Sequence, residues 1–213
     1  LLPIGRNFLE VVAPVTDGTA AGRYLDRRGG DGGYMVITQG ENRETYDTVR
    51  LRAPELGVRV AFERSRDTSG ICQLHPRDMI ACFCEIEWNE ANDFNGLWHP
   101  AGHSWEDKVR QDVTVDLLGV EIQGDDPEAL GDHWAKVIGT PVAVKGDVRT
   151  ITLNNAVLRF VESTDGRGPG LGGLVIAVAN RAHILARARV RGCYVNDDRV
   201  DICGTRFYLT DAD

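Results

Sequence analysis

Two carboxylates recur at matching points of the chain. Glu10 lies in Asn7-Phe8-Leu9-Glu10-Val11-Val12-Ala13-Pro14, and Glu85 in Ala81-Cys82-Phe83-Cys84-Glu85-Ile86-Glu87-Trp88. A third stretch, Ala156-Val157-Leu158-Arg159-Phe160-Val161-Glu162-Ser163, has the same apolar alternation. Each closes a block that repeats about every 75 residues, near the range where a period marks repeated supersecondary units. Two such carboxylates could hold calcium or magnesium with the help of water and carbonyl oxygens. Facing each other, they would repel, raise one pKa and supply a general acid or base.

The remaining reactive side chains point less clearly to chemistry. Cys82 and Cys84 are two apart, which on a strand puts both on one face, and no second cysteine pair completes a zinc set. His99, His103 and Asp107 have helical metal spacing, but Pro100 and Gly102 oppose a helix there. His75 precedes Pro76 in a turn, where it either caps the surface or lines the mouth of a cleft. His133 and His183 fall in helix candidates. The glycines of 165–173 lack the spacing and lysine of a phosphate loop, and no serine sits in a nucleophile elbow.

Composition narrows the partners. The 213 residues carry a formal net charge of -8, which disfavours nucleic acid. A hydrophobic share of 42% suffices for a substantial core, yet no apolar run approaches the ~20 residues of a membrane span. The odd count of five cysteines fits reduced thiols in a cytoplasmic protein.

The elements that would position these residues repeat in order. Residues 1–5 and 8–13 read as strands around a Gly5-Arg6-Asn7 turn, and 20–28 as a helix after Thr19. The second block reads β-α-β-β-β: strand 34–39, helix 44–56 cut short by Pro54, then strands 58–63, 71–74 and 81–88. Residues 89–112 carry Phe94, Trp98 and Trp105, aromatics that a plain polar loop does not need, and read as a connector packed on a domain surface. The third block repeats the order over 115–162 and the fourth over 174–210.

Three pieces, with their order, resemble the vicinal oxygen chelate superfamily of glyoxalases, epimerases, extradiol dioxygenases and antibiotic-binding resistance proteins. They are Pro3–Pro14, Leu74-His75-Pro76 running on to Phe83–Glu87, and Gly119-Val120-Glu121-Ile122-Gln123-Gly124-Asp125-Asp126-Pro127-Glu128-Ala129-Leu130. The resemblance implies an α+β fold of repeated βαβββ modules whose curved mixed sheets form clefts. It implies a first domain over 1–95 whose opening module is incomplete at its N-terminus, an aromatic connector over 96–111, and a second domain over 112–213.

The resemblance also implies a divalent metal on carboxylates of closing strands and histidines of opening strands. Glu10 and Glu85 match the carboxylate places. Val36 (or Met35 one residue away), Gly119 and Gly173 stand where histidines are expected, and Arg159 and about Tyr208 stand at the closing strands of the second domain. A divalent metal is therefore unsupported by histidines. Phe8, Tyr34, Val36, Thr38, His75 and Phe83 join the two glutamates as a mostly apolar cleft for a small neutral or cationic ligand. Three readings stay open: a metal-assisted lyase, isomerase or dioxygenase, a ligand-sequestering protein without chemistry, and a scaffold for a homodimer.

Overall fold

In the computed structural model, residues 1–92 and 98–212 are described; Phe94 of the expected aromatic connector lies outside them. The chain forms two compact units that interleave in sequence. One comprises Leu1–Gly32, Asn95–Glu121 and Gly172–Asp213, and the other Gly33–Phe94 and Ile122–Leu171. The expected first domain, 1–95, thus contributes to both.

In the first unit, β1 (Leu2–Ile4) and β2 (Asn7–Leu9) form a hairpin. Its turn uses Gly5 at φ +59°, where a Cβ would lie 2.7 Å from Asp116 Oδ1, so only glycine fits. Helix α1 (Ala20–Arg28) starts at Thr19, whose hydroxyl accepts from Gly22 N. The strands β7 (Thr114–Gly124), β11 (Gly170–Val178), β12 (Tyr194–Asn196), β13 (Arg199–Ile202) and β14 (Thr205–Asp211) order as β12-β13-β14-β11-β7. Helix α4 (Arg181–Arg191) covers one face, burying Leu185 and Ala188 against Leu174, Ile176, Val178, Val200 and Leu209.

The second unit holds a complete β-α-β-β-β module: β3 (Met35–Gln39), α2 (Arg43–Glu55), β4 (Val60–Ser65), β5 (Ser69–Leu74) and β6 (Phe83–Asn89). Its sheet runs β3-β6-β5-β4, parallel between β3 and β6 and antiparallel elsewhere. Helix α2 buries Tyr46, Val49 and Ala53. Pro54 does not cut it short, because the proline sits in the last turn and the helix simply ends at Glu55. Gly70 lets helix and sheet approach: a Cβ there would lie 2.5 Å from Trp88 Nε1 and 2.8 Å from Tyr46 Cζ.

The same unit contains the end of β7, α3 (Pro127–Ile138), β8 (Val142–Lys145), β9 (Val148–Thr152) and β10 (Val157–Glu162). Asp126 caps α3, Pro127 occupies its first turn, and Gly139 at φ +76° ends it. Leu130, Trp134 and Val137 face Ile151 and Phe160, with the Trp134 and Phe160 rings 6.1 Å apart. Helix α3 also holds the turn before β6. Trp134 Nε1 donates to Met79 O at 2.9 Å, and His133 Nε2 lies 2.8 Å from Asp78 O. The fold is α+β with mixed, curved sheets. No helix among the described residues is long and apolar enough to cross a membrane.

Two outcomes follow from the docked turn. Trp134→Ala empties a fully buried site and deletes the bond to Met79, so denaturant unfolding should show a loss of about 3–5 kcal/mol. In the turn itself, the hydrogen-bonded Arg59 guanidinium holds the Asp78 carboxyl down at about 2, from an ordinary 3.8. A carboxyl depressed in the fold adds stability above its ordinary value and loses it as pH falls from there towards 2. Carboxyl-detected NMR should find the low value, and Arg59→Ala should restore the ordinary one.

Candidate functional site

Strand alternation sorts the second block's residues into two faces. Register pairs Met35 with Phe83, Ile37 with Glu85 and Gln39 with Glu87 across β3 and β6. Across β5 and β6 it pairs Gln73 with Glu85 and Ile71 with Glu87. These side chains share the face turned away from α2. Val36, Thr38, Cys72, Leu74, Cys84, Ile86 and Trp88 share the other, beneath Tyr46 and Val49.

Glu85 dominates the helix-free face. Its side chain is only 4% exposed, and Gln73 Nε2 donates to Glu85 Oε2 at 2.5 Å. At the start of β6, the Tyr34 and Phe83 rings lie 5.1 Å apart and the His75 ring 6.3 Å from Phe83. Arg77 N donates to His75 Nδ1 at 3.2 Å, so the neutral ring carries its proton on Nε2. Aromatic surface at one end and a buried carboxylate farther along suit an amphipathic ligand.

Of the expected cleft residues, Glu85, Phe83, Tyr34 and His75 fall together here. Val36 and Thr38 do not: alternation turns both towards α2, and Ile37 takes the place beside Glu85. Thr38 still contributes, its hydroxyl donating to Glu85 O at 2.8 Å. Phe8 and Glu10 belong to the first unit. There Phe8 packs against Trp98 and Trp105, at ring distances of 5.3 and 5.2 Å, which is the aromatic packing expected of the connector. The strand ends at Leu9, so Glu10 is an exposed residue beyond it rather than an inward strand position.

The first unit carries a second buried carboxylate. Glu121 on β7 is 4% exposed and accepts on Oε1 from Arg206 Nη2 at 2.9 Å, Arg206 Nε at 3.1 Å and Tyr208 OH at 2.9 Å. Register adds Asp201 beside Arg206 and Arg199 beside Tyr208, and Arg199 grips Asp201 at 2.6 Å. Burial, followed by the neighbouring Glu121 charge, pushes the Tyr208 phenol above its ordinary range. Gly173 makes room for the cluster, since a Cβ there would lie 3.0 Å from Tyr208 Cε2. The strand alternation that marked Glu85 also places Glu121 on an inward position.

Neither carboxylate has the donors of a transition-metal site. Among the described residues, no three His, Cys, Asp or Glu side chains converge. Glu121 is paired with a guanidinium, whose charge repels a metal cation, and Glu85 meets an amide N–H donor rather than a further oxygen ligand. The residues present do not fit the divalent ion that the resemblance implies. The buried thiols offer no alternative: burial pushes Cys72 and Cys84 up to about 12, far from the thiolate that binds metal or attacks carbon.

The Glu121 cluster is built around a buried ion pair. Arg206→Met removes the guanidinium that grips the buried Glu121 and should cost about 3–5 kcal/mol by denaturant unfolding, whereas Asp201→Asn at the more exposed rim should cost much less.

No family model and no curated protein matches this chain. Solved structures do. A hypothetical protein from Staphylococcus aureus matches with TM-score 0.58 and 10% identity over 91% of this chain and 71% of its own. The Mn(II)-bound glyoxalase from Novosphingobium aromaticivorans matches with TM-score 0.55 and 12% identity, over 83% of this chain and 62% of that one. The 2,2',3-trihydroxybiphenyl 1,2-dioxygenase from Sphingomonas wittichii strain RW1 matches with TM-score 0.53 and 9% identity, over 84% and 70%. The chain therefore spans between 62% and 71% of these three proteins. Such identities speak to architecture alone, and with the β-α-β-β-β modules and curved mixed sheets they show that the chain has the vicinal oxygen chelate fold.

Proposed function

We propose that the protein binds a small, partly apolar molecule on the Glu85 face of the β3-β6-β5-β4 sheet, and does so without a resident metal. The observation that carries this reading is Glu85 itself. A carboxylate 4% exposed, held by one amide, lies on the helix-free side of a sheet that begins with an aromatic group. A sheet stabilised only as a scaffold would gain from an apolar residue there, because burying a charge costs more than one neutral hydrogen bond returns. The aromatic rings supply apolar contact, and the Glu85–Gln73 pair supplies the polar recognition that fixes orientation.

The donor set favours ligand capture over metal-assisted turnover. Glyoxalase and dioxygenase chemistry belongs to the structural neighbours by name, and among the described residues no three His, Cys, Asp or Glu side chains converge to hold the divalent ion that would stabilise an enolate.

A screen of aromatic metabolites against the full chain tests the reading through ligand-dependent melting temperature. A bound molecule should raise it in proportion to ln(1 + [L]/Kd) and shift NMR signals of Phe83, Tyr34 and Gln73. Phe83→Ala should weaken binding about tenfold, which corresponds to about 1.4 kcal/mol of lost ring contact. Hits that leave those signals unmoved would sink the assignment.

A further inference from the structure

Two carboxylates are buried among the described residues, Glu85 and Glu121, and they make an internal comparison. Both are 4% exposed and both sit on strands. Glu121 is neutralised within the chain by Arg206 at 2.9 Å, with the Tyr208 hydroxyl as a further donor. Glu85 receives one neutral hydrogen bond from Gln73 and forms no ion pair among the described residues. Buried carboxylates are ordinarily paired with a cation or held by several donors.

A second irregularity lies on the same face. Gln39 Nε2 is buried without a hydrogen-bond partner, and Gln39 stands one strand position pair along from Ile37 and Glu85. An amide N–H left this way asks for an acceptor. Among the described residues, then, Glu85 has no ion pair and Gln39 Nε2, beside Glu87 in register, makes no hydrogen bond, while the Tyr34 and Phe83 rings stand at one end of the face.

We infer that the ligand of this face is an organic cation: an ammonium group seated against Glu85, an oxygen acceptor within reach of Gln39, and an apolar arm along Tyr34 and Phe83. The inference rests on the binding reading above and narrows it to one chemical class. An ammonium provides N–H donors for the carboxylate and tolerates an aromatic wall through cation–π attraction. A divalent metal ion does neither here. It would need several more oxygens, and Gln73 turns its N–H, not its carbonyl, towards Glu85.

The test uses the full chain and three probes: 2-phenylethylammonium chloride, its neutral counterpart 2-phenylethanol, and manganese(II) chloride. The side-chain amide signals of Gln73 and Gln39 are followed by NMR. The ammonium should shift both, saturably and at least about tenfold more tightly than the alcohol, and Glu85→Gln should abolish that preference. The chemical class falls if the alcohol binds as well as the ammonium, or if manganese broadens these signals where the ammonium leaves them alone. In the first case the face remains a binding site. If neither organic probe moves the two signals, the binding reading falls with it.

A ligand-free control guards against misfolding. Glu85→Gln should keep or raise the melting temperature, because it removes a buried charge that no ion pair balances among the described residues, while Glu121→Gln should lower it by weakening the bonds from Arg206 and Tyr208. An equal fall in both variants would show that the chain already neutralises Glu85 and would overturn the proposal.

Discussion

The two-residue alternation of β6, locked between β3 and β5, is the constraint on which the rest of this structure depends. Register to two neighbours at once leaves no freedom to slip, since a shift of one residue would turn Cys84, Ile86 and Trp88 outwards and draw Glu85 and Glu87 under α2. Tyr46, Val49 and Gly70 fix the helix-side fit, because their contacts leave no space for a charged side chain. The helix-free face inherits its chemistry from that packing. Glu85 is where it is because its neighbours on either side along the strand must be apolar.

Within one fold, the two buried carboxylates illustrate different solutions to the same electrostatic difficulty. At Glu121 the strands β14 and β13 add a guanidinium, a phenol and a neighbouring Arg199–Asp201 pair, so charge is balanced in place. At Glu85 the adjoining strand offers an amide. A closed network of the first kind rigidifies a sheet. A carboxylate of the second kind has a neutral donor and no ion pair among the described residues.

Much of this was readable from the chain. The β-α-β-β-β order, the hairpin at Gly5-Arg6-Asn7, the caps at Thr19 and Asp126, and Glu85 on an inward strand position all follow from local periodicity and turn chemistry. Val36 and Thr38 lie on the helix side, with Cys84 and Ile86, and not on the face of Phe83 and Glu85. The strand starts at Met35, and parity alone cannot say which alternate set a parallel strand turns towards a helix. Glu10 was read as part of a longer strand, but pairing stops at Leu9. The interleaved units are made by residues distant in sequence, as when Val113 O accepts from Ala179 N, so no local pattern carries them. Glu121 follows a related rule: Arg206 and Tyr208, which donate to it, lie 85 and 87 residues away, beyond any local pattern.

The turn between β5 and β6 carries His75 beside the Phe83 ring, yet Trp134 and His133 of the following module hold it through Met79 and Asp78. The rim of one repeat is therefore built on the helix of the next. Recombination that exchanged the second module between relatives as a cassette would carry over the sheet and its glutamate. It would not carry over the footing of the rim, so the two repeats are bound to diverge as a pair.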